Sequence, residues 1–97
     1  MQYNYAIKPL VIRKVRSFYR NVCKKYPNIY SYYDMLRYIN KTVDAIYCIE
    51  QSVPRRKPTI ERWKNWHMAH AGNWYYAYSI DGNTITIYDA CHAQNMK

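Results

Sequence analysis

The hydrophobic period of this chain changes near residue 60, and that change decides most of what the chain can fold into. From Leu10 up to it, apolar residues recur every three or four positions, the period of a helix; after it they alternate, the period of a strand. From Leu10 to Tyr26, Val11, Val15, Phe18 and Val22 form one stripe, while Arg13, Arg16, Arg20 and Lys24 form another. This predicts an amphipathic helix with a basic face, begun near Pro9 and ended by Pro27. Ser31 and Asp34 have the spacing of a capping box. Behind them Met35, Ile39, Val43 and Ile46, with Leu36 and Tyr47, predict a second helix running to about Val53, where Pro54 stops it. The short connection around Pro27 makes the two an antiparallel hairpin.

The remaining segments read as strands. Gln2 to Ile7 alternates Tyr3 and Tyr5 with polar neighbours. Arg62 to Ala71, Trp74 to Ile80 and Asn83 to Cys91 follow the helices, punctuated by Gly72 and by the hairpin signal Asp81-Gly82. The expected architecture is therefore α+β: an N-terminal strand, a two-helix hairpin, then three antiparallel strands in one sheet covered on one face by the helices. Residues 1–97 form a single domain, since 97 residues leave no room for a second core.

Strand parity assigns the faces. Tyr76, Tyr78, Ile80, Ile85 and Ile87 should meet the helices. Tyr75, Ala77, Ser79, Thr84, Thr86, Tyr88 and, with a longer strand, His92 should share the other face. That face reads either as an ordinary solvated surface or as a platform for single-stranded RNA, in which bases stack on Tyr75 and Tyr88.

Charge narrows the partners. Fifteen Lys and Arg face six Asp and Glu, a formal +9, which favours a polyanion: nucleic acid, an acidic protein or an anionic surface. Part of the excess lies in Pro54-Arg55-Arg56-Lys57-Pro58, either a solvated loop or a phosphate clamp. Thirteen tyrosines and three tryptophans argue against disorder. No apolar run approaches a membrane span of about 18 residues, and the segment MQYNYAIKPL has no signal-peptide core, so a soluble cytoplasmic protein is expected. Cys23, Cys48 and Cys91 are too scattered for a disulfide frame. His67 and His70, three apart on a strand, point to opposite faces and make no zinc site with Cys91. No cofactor or metal is expected.

The segments His70-Ala71-Gly72-Asn73-Trp74-Tyr75-Tyr76-Ala77-Tyr78 and Tyr88-Asp89-Ala90-Cys91-His92-Ala93-Gln94-Asn95-Met96, set in this element order, resemble the RelE/ParE superfamily of toxins from bacterial type II toxin–antitoxin pairs. The resemblance is closest to its YafQ-like, histidine-using branch. The architecture spans the chain, whereas the specific motifs span its last third. His70 matches the first histidine of that branch, Trp74 its tryptophan and His92 its terminal histidine. Asn73 stands where the branch has an acid, Tyr75 where RelE has an arginine, and Met96 where an aromatic is usual.

The resemblance implies a metal-independent endoribonuclease that cuts mRNA, commonly in the ribosomal A site, and is held by a small acidic antitoxin on the basic surface. RNA supplies its own 2′-OH nucleophile; the enzyme needs a base, an acid and cations for the phosphorane. Histidine suits the first two tasks, which assigns His92 as acid and His70 or His67 as base. Arg55, Arg56, Lys57, Arg62 and Lys64 would hold phosphate, and Trp74, Tyr75 and Tyr88 would stack bases. Two other functions remain open: a ParE-like protein that inhibits DNA gyrase, and a non-catalytic RNA-binding module. His92 argues against the first, because ParE-type members generally lack it.

Overall fold

The computed structural model describes residues 3–49 and 61–95. Its elements are strand β1 (Asn4–Ile7), helices α1 (Pro9–Lys25) and α2 (Tyr32–Ile46), and strands β2 (His67–Ala71), β3 (Trp74–Asp81) and β4 (Thr84–His92). The four strands make one sheet in the order β1-β4-β3-β2, with β1 parallel to β4 and the other pairs antiparallel. This is the expected α+β arrangement.

The helices form where their stripes require. Pro9 opens α1; Val11 and Val15 are buried, and Arg13, Arg16, Arg20 and Lys24 face outward. Ser31 caps α2 as its spacing foretold. Its hydroxyl accepts the Asp34 backbone N–H at 3.2 Å, and its own N–H donates to the Asp34 carboxylate at 2.9 Å. The Ser31 N–H and the Ser31 hydroxyl, which donates to the same carboxylate at 3.1 Å, hold the Asp34 carboxyl below its ordinary range, with Arg37 adding to the effect.

Helix α2 ends at Ile46, short of the expected Val53. There the backbone tightens into three-residue bonds, Tyr47 N–H to Asp44 O and Cys48 N–H to Ala45 O. The expected strand from Arg62 is also shorter. Glu61–Trp63 is a 3₁₀ turn, continued by the bonds Lys64 N–H to Glu61 O and Trp66 N–H to Trp63 O, and β2 starts only at His67. In that geometry residues three apart eclipse, so Trp63 and Trp66 reach the same cluster instead of opposite faces.

Two-residue loops join the strands: Gly72-Asn73 between β2 and β3, and Gly82-Asn83 between β3 and β4. Each glycine sits at φ +59°, the first central position that a type II′ turn reserves for glycine.

Between the helices and the sheet lies the main core, Val11, Val15, Ile39 and Ile46 packed on Trp74, Tyr76, Tyr78, Ile85 and Ile87. A second, smaller core lies on the sheet's other side, where Trp63 and Met68 cover Ala77 and Cys91. The face expected to be open is thus partly closed.

A bulge corrects the face assignment further. Strand β3 pairs with β4 as Tyr78↔Ile87 and Ala77↔Asp89, which leaves Tyr88 as an extra residue. Beyond it the parity of β4 is reversed. Ala90 and His92 join the helix-side face, and Asp89 and Cys91 turn to the other. His92 therefore does not share a face with Tyr75 and Tyr88.

Candidate functional site

The bulge sends His92 into a cavity of about 890 Å³ between the helical hairpin and the Gly72 end of the sheet. Helix α1 contributes Phe18 and Tyr19, α2 contributes Tyr38 and Thr42, and the sheet contributes Trp74 and His92. Lys25 and Lys41 are its cations; Asn21, Asn73 and Gln94 add amides.

Its walls are interlocked aromatics. Phe18 lies flat on His92, with centroids 4.1 Å apart and planes 15° apart, and meets Trp74 edge-on at 5.3 Å. Trp74 in turn stands edge-on to His92 at 5.3 Å. Tyr19 stacks on Tyr38 at 5.7 Å, and Tyr30 closes on Tyr38 at 5.9 Å. Such rings offer π-faces to a nucleobase or another flat group.

Two polar groups are fixed among these rings. The Tyr19 hydroxyl accepts from Trp74 Nε1 at 3.1 Å and from Thr42 Oγ1 at 3.1 Å. His92 Nδ1 accepts the backbone N–H of Gln94 at 3.2 Å, in the 3₁₀ turn Ala93–Asn95 that follows β4. Burial holds the His92 imidazole below its ordinary value and so favours the neutral ring.

The other two histidines lie elsewhere. His70 pairs with Tyr75 on the face away from the helices, and its ring sits 5.9 Å from that tyrosine's. His67 is on the helix side, but it pairs with Tyr78, four residues along β3 from the Trp74 that pairs with His92. At the rise of a strand this separates them by about 13 Å along the sheet. No two histidines are brought to one point, so the geometry does not assemble the expected acid–base pair.

The expected phosphate and base contacts divide in the same way. Trp74 lines the cavity with His92. On the opposite face, Tyr88 lies under Trp66 at 4.8 Å with planes 6° apart, shares a 3.0 Å hydrogen bond with Ser79, and has Lys8 above its ring. Arg62 reaches Asp89 at 3.4 Å, and Lys64 reaches Glu61 at 3.6 Å. Arg55, Arg56 and Lys57, like Met96, lie outside the described residues.

Asp89 anchors that opposite side. Its carboxylate takes Lys14 Nζ at 2.5 Å, Trp63 Nε1 at 2.8 Å and the Ala90 N–H at 2.8 Å. Burial pushes the carboxyl upward, but these three donors and the Lys14 charge outweigh it and hold the group below its ordinary range. Asp89 is thus a joint between α1, the Trp63 turn and β4.

Tyr19, Asn21, Tyr30, Tyr38, Lys41 and Thr42 of the cavity escaped the sequence reading. Tyr19 lies four residues after Val15, on the flank of the α1 stripe, and a tyrosine there reads as core. Among the described residues, no three His, Cys, Asp or Glu side chains come together as a metal site, and no helix is long and apolar enough to cross a membrane.

With this geometry in hand, comparison with known proteins adds no identification: no family model, curated protein or solved structure matches the chain.

Proposed function

We propose that this chain is a cytoplasmic toxin of a bacterial type II toxin–antitoxin pair, acting as a metal-independent endoribonuclease on mRNA, with the His92 cavity as its RNA site. One observation carries the reading: stacking surfaces, two lysines and a half-buried histidine converge in a single cleft at one end of the sheet. Single-stranded nucleic acid asks for that combination, aromatic faces for bases and cations for phosphates.

The chemistry needs little from the protein. The 2′-oxygen of the RNA attacks phosphorus, and the P–O5′ bond breaks with its electron pair passing to O5′. The 2′-OH proton leaves to water and O5′ takes a proton from water. The products are a 2′,3′-cyclic phosphate and a 5′-OH end, and no oxidant or co-substrate is consumed. The cleft contributes orientation and charge. In a ribosome the same cleft would take the mRNA strand presented in the A site.

The antitoxin has its own surface in this reading. Arg16 and Arg20 rim a shallow groove of about 260 Å³ floored by Met35, Leu36 and Ile39. Tyr32, at 67% exposed, extends the apolar surface. An acidic amphipathic segment matches both features.

Purified protein incubated with single-stranded RNA in a chelator should leave cyclic-phosphate ends, and His92→Ala should abolish both the cuts and growth arrest on expression. Uncut RNA, together with growth arrest traced to gyrase-linked DNA breaks, would overturn the reading. The separation of the three histidines favours a second possibility, an RNA-binding module without catalysis, which the same assay identifies as bound but intact RNA.

A further inference from the structure

The hydrogen bonds around the cleft assign a direction to its two polar groups. Tyr19 Oη already accepts from two donors, Trp74 Nε1 and Thr42 Oγ1, which occupy its lone pairs. Its own proton has to point elsewhere, and no hydrogen bond donated by it to another described residue is formed. Tyr19 lines the cleft, so the open direction is the cleft. His92 is constrained in the same sense. With Nδ1 accepting from the Gln94 N–H, the neutral ring carries its proton on Nε2. Phe18 stacked on one side and Trp74 edge-on at another fix the ring plane.

We propose that Tyr19 Oη–H and His92 Nε2–H form a donor pair for a non-bridging phosphate oxygen, His92 acting as a neutral hydrogen-bond donor and not as a proton shuttle. This rests on the RNA reading of the cleft and names the group that the cleft grips. Tyr19 and His92 line the one cavity and touch the same two rings, Phe18 and Trp74. Lys25 and Lys41 in the same cavity supply the positive field. A site that offers donors and cations, with its hydroxyl lone pairs already occupied, selects an anion. As the 2′-oxygen attacks, charge builds on the non-bridging oxygens, where such donors act most strongly. A proton on Nδ1 would confront the Gln94 N–H, and burial disfavours the imidazolium as well. The neutral donor is therefore the resting form. Tyr19 and His92 act on the phosphate in this scheme; Phe18 and the Gln94 peptide are positioning groups.

Long-range proton–nitrogen NMR of the full chain reads the His92 tautomer directly, without RNA and without activity. Nε2–H at pH 7 is expected; Nδ1–H overturns the assignment. Inorganic phosphate and a 2′-deoxy dinucleotide, which cannot be cut, should each shift the His92 and Tyr19 resonances, and unmoved resonances overturn the donor pair.

His92→Gln keeps an N–H near the Nε2 position, whereas His92→Asn places its amide nearer Nδ1. Dinucleotide affinity should fall less than about threefold in the first and on the order of tenfold or more in the second. Equal losses in folded protein overturn the proposal. Tyr19→Phe should also cost on the order of tenfold; should that variant fail to fold, the wild-type tautomer and phosphate shifts still decide. Phosphate binding with the expected tautomer, but no RNA cleavage, leaves the donor pair standing and removes the nuclease reading.

Discussion

On the side of the sheet away from the helices, Asp89 gathers Lys14, Trp63 and the Ala90 N–H, and Tyr88 is closed by Trp66, Ser79 and Lys8. At the Gly72 end of the helix side, Tyr19 and His92 have their acceptor atoms occupied and line an open cavity. The first arrangement satisfies its polar groups internally and holds elements together. The second satisfies half of each polar group and leaves the other half for something outside. That asymmetry, more than the net charge, distinguishes a joint from a site.

The comparison breaks most readily at Trp63. Trp63→Ala removes a fully buried indole and should cost roughly 3–5 kcal/mol. Chemical denaturation at low temperature would measure it. If Trp63 belongs to the joint, the folded fraction should keep the wild-type His92 imidazole NMR signals; a change in them would mean that the two faces are not separable.

Asp89 should come next. Asp89→Ala leaves the Trp63 indole N–H buried without an acceptor, at roughly 2–3 kcal/mol. Lys14 and Arg62 are partly exposed and can return to water, which limits the loss. The acid limb of the stability curve carries a sharper signature. A carboxyl held below its ordinary value in the fold contributes stability above the unfolded value, and that contribution is lost as pH falls through the folded one. Asp89→Asn should flatten thermal melts recorded from pH 5 downward. His92 has the same sign nearer neutrality: its depressed folded value means that stability declines as pH falls below about 6.5, and His92→Gln should remove that limb.

On the cleft side, Lys41→Gln tests the field with little expected change in fold. Removing one phosphate contact should lower the slope of log affinity for single-stranded RNA against log salt by about 0.7. An unchanged slope would place Lys41 outside the RNA path.

Much of the frame was legible, and the misreading at the site has a physical cause. The capping box, the α1 stripe and the glycine turns are local, so their spacing is enough to define them. The β4 bulge is not local. Uninterrupted alternation puts Asp89 beside Ile85 and Ile87 in the core, and that unpaired acid was the available sign of a register slip. One extra residue, Tyr88, turns the acid outward and His92 inward. The strand expected from Arg62 failed for a similar reason: Trp63 and Trp66, three apart, would oppose each other on a strand but coincide on a 3₁₀ turn. The polar geometry around Tyr19 was out of reach, because it depends on Thr42 and Trp74, which are distant in sequence.

The smallest expected effect tests the comparison at its most delicate point. Tyr76 lies in the main core, fully buried, and its hydroxyl has no partner among the described residues. Burial and the nearby Tyr19 push its ionisation well above the ordinary tyrosine value, so the group is a neutral phenol at any physiological pH. An unpaired buried hydroxyl costs stability that its ring packing has to offset. Tyr76→Phe keeps the ring and removes the cost, so it should be neutral or stabilising by up to about 1 kcal/mol in denaturant melts. The same change should leave the Tyr19 bonds to Trp74 and Thr42 intact, and with them the affinity for a 2′-deoxy dinucleotide. A loss above about 1 kcal/mol would show the Tyr76 hydroxyl to be bonded. A loss of affinity at unchanged stability would show that the cleft's polar network extends into the core through Tyr76, one layer deeper than Tyr19 and His92.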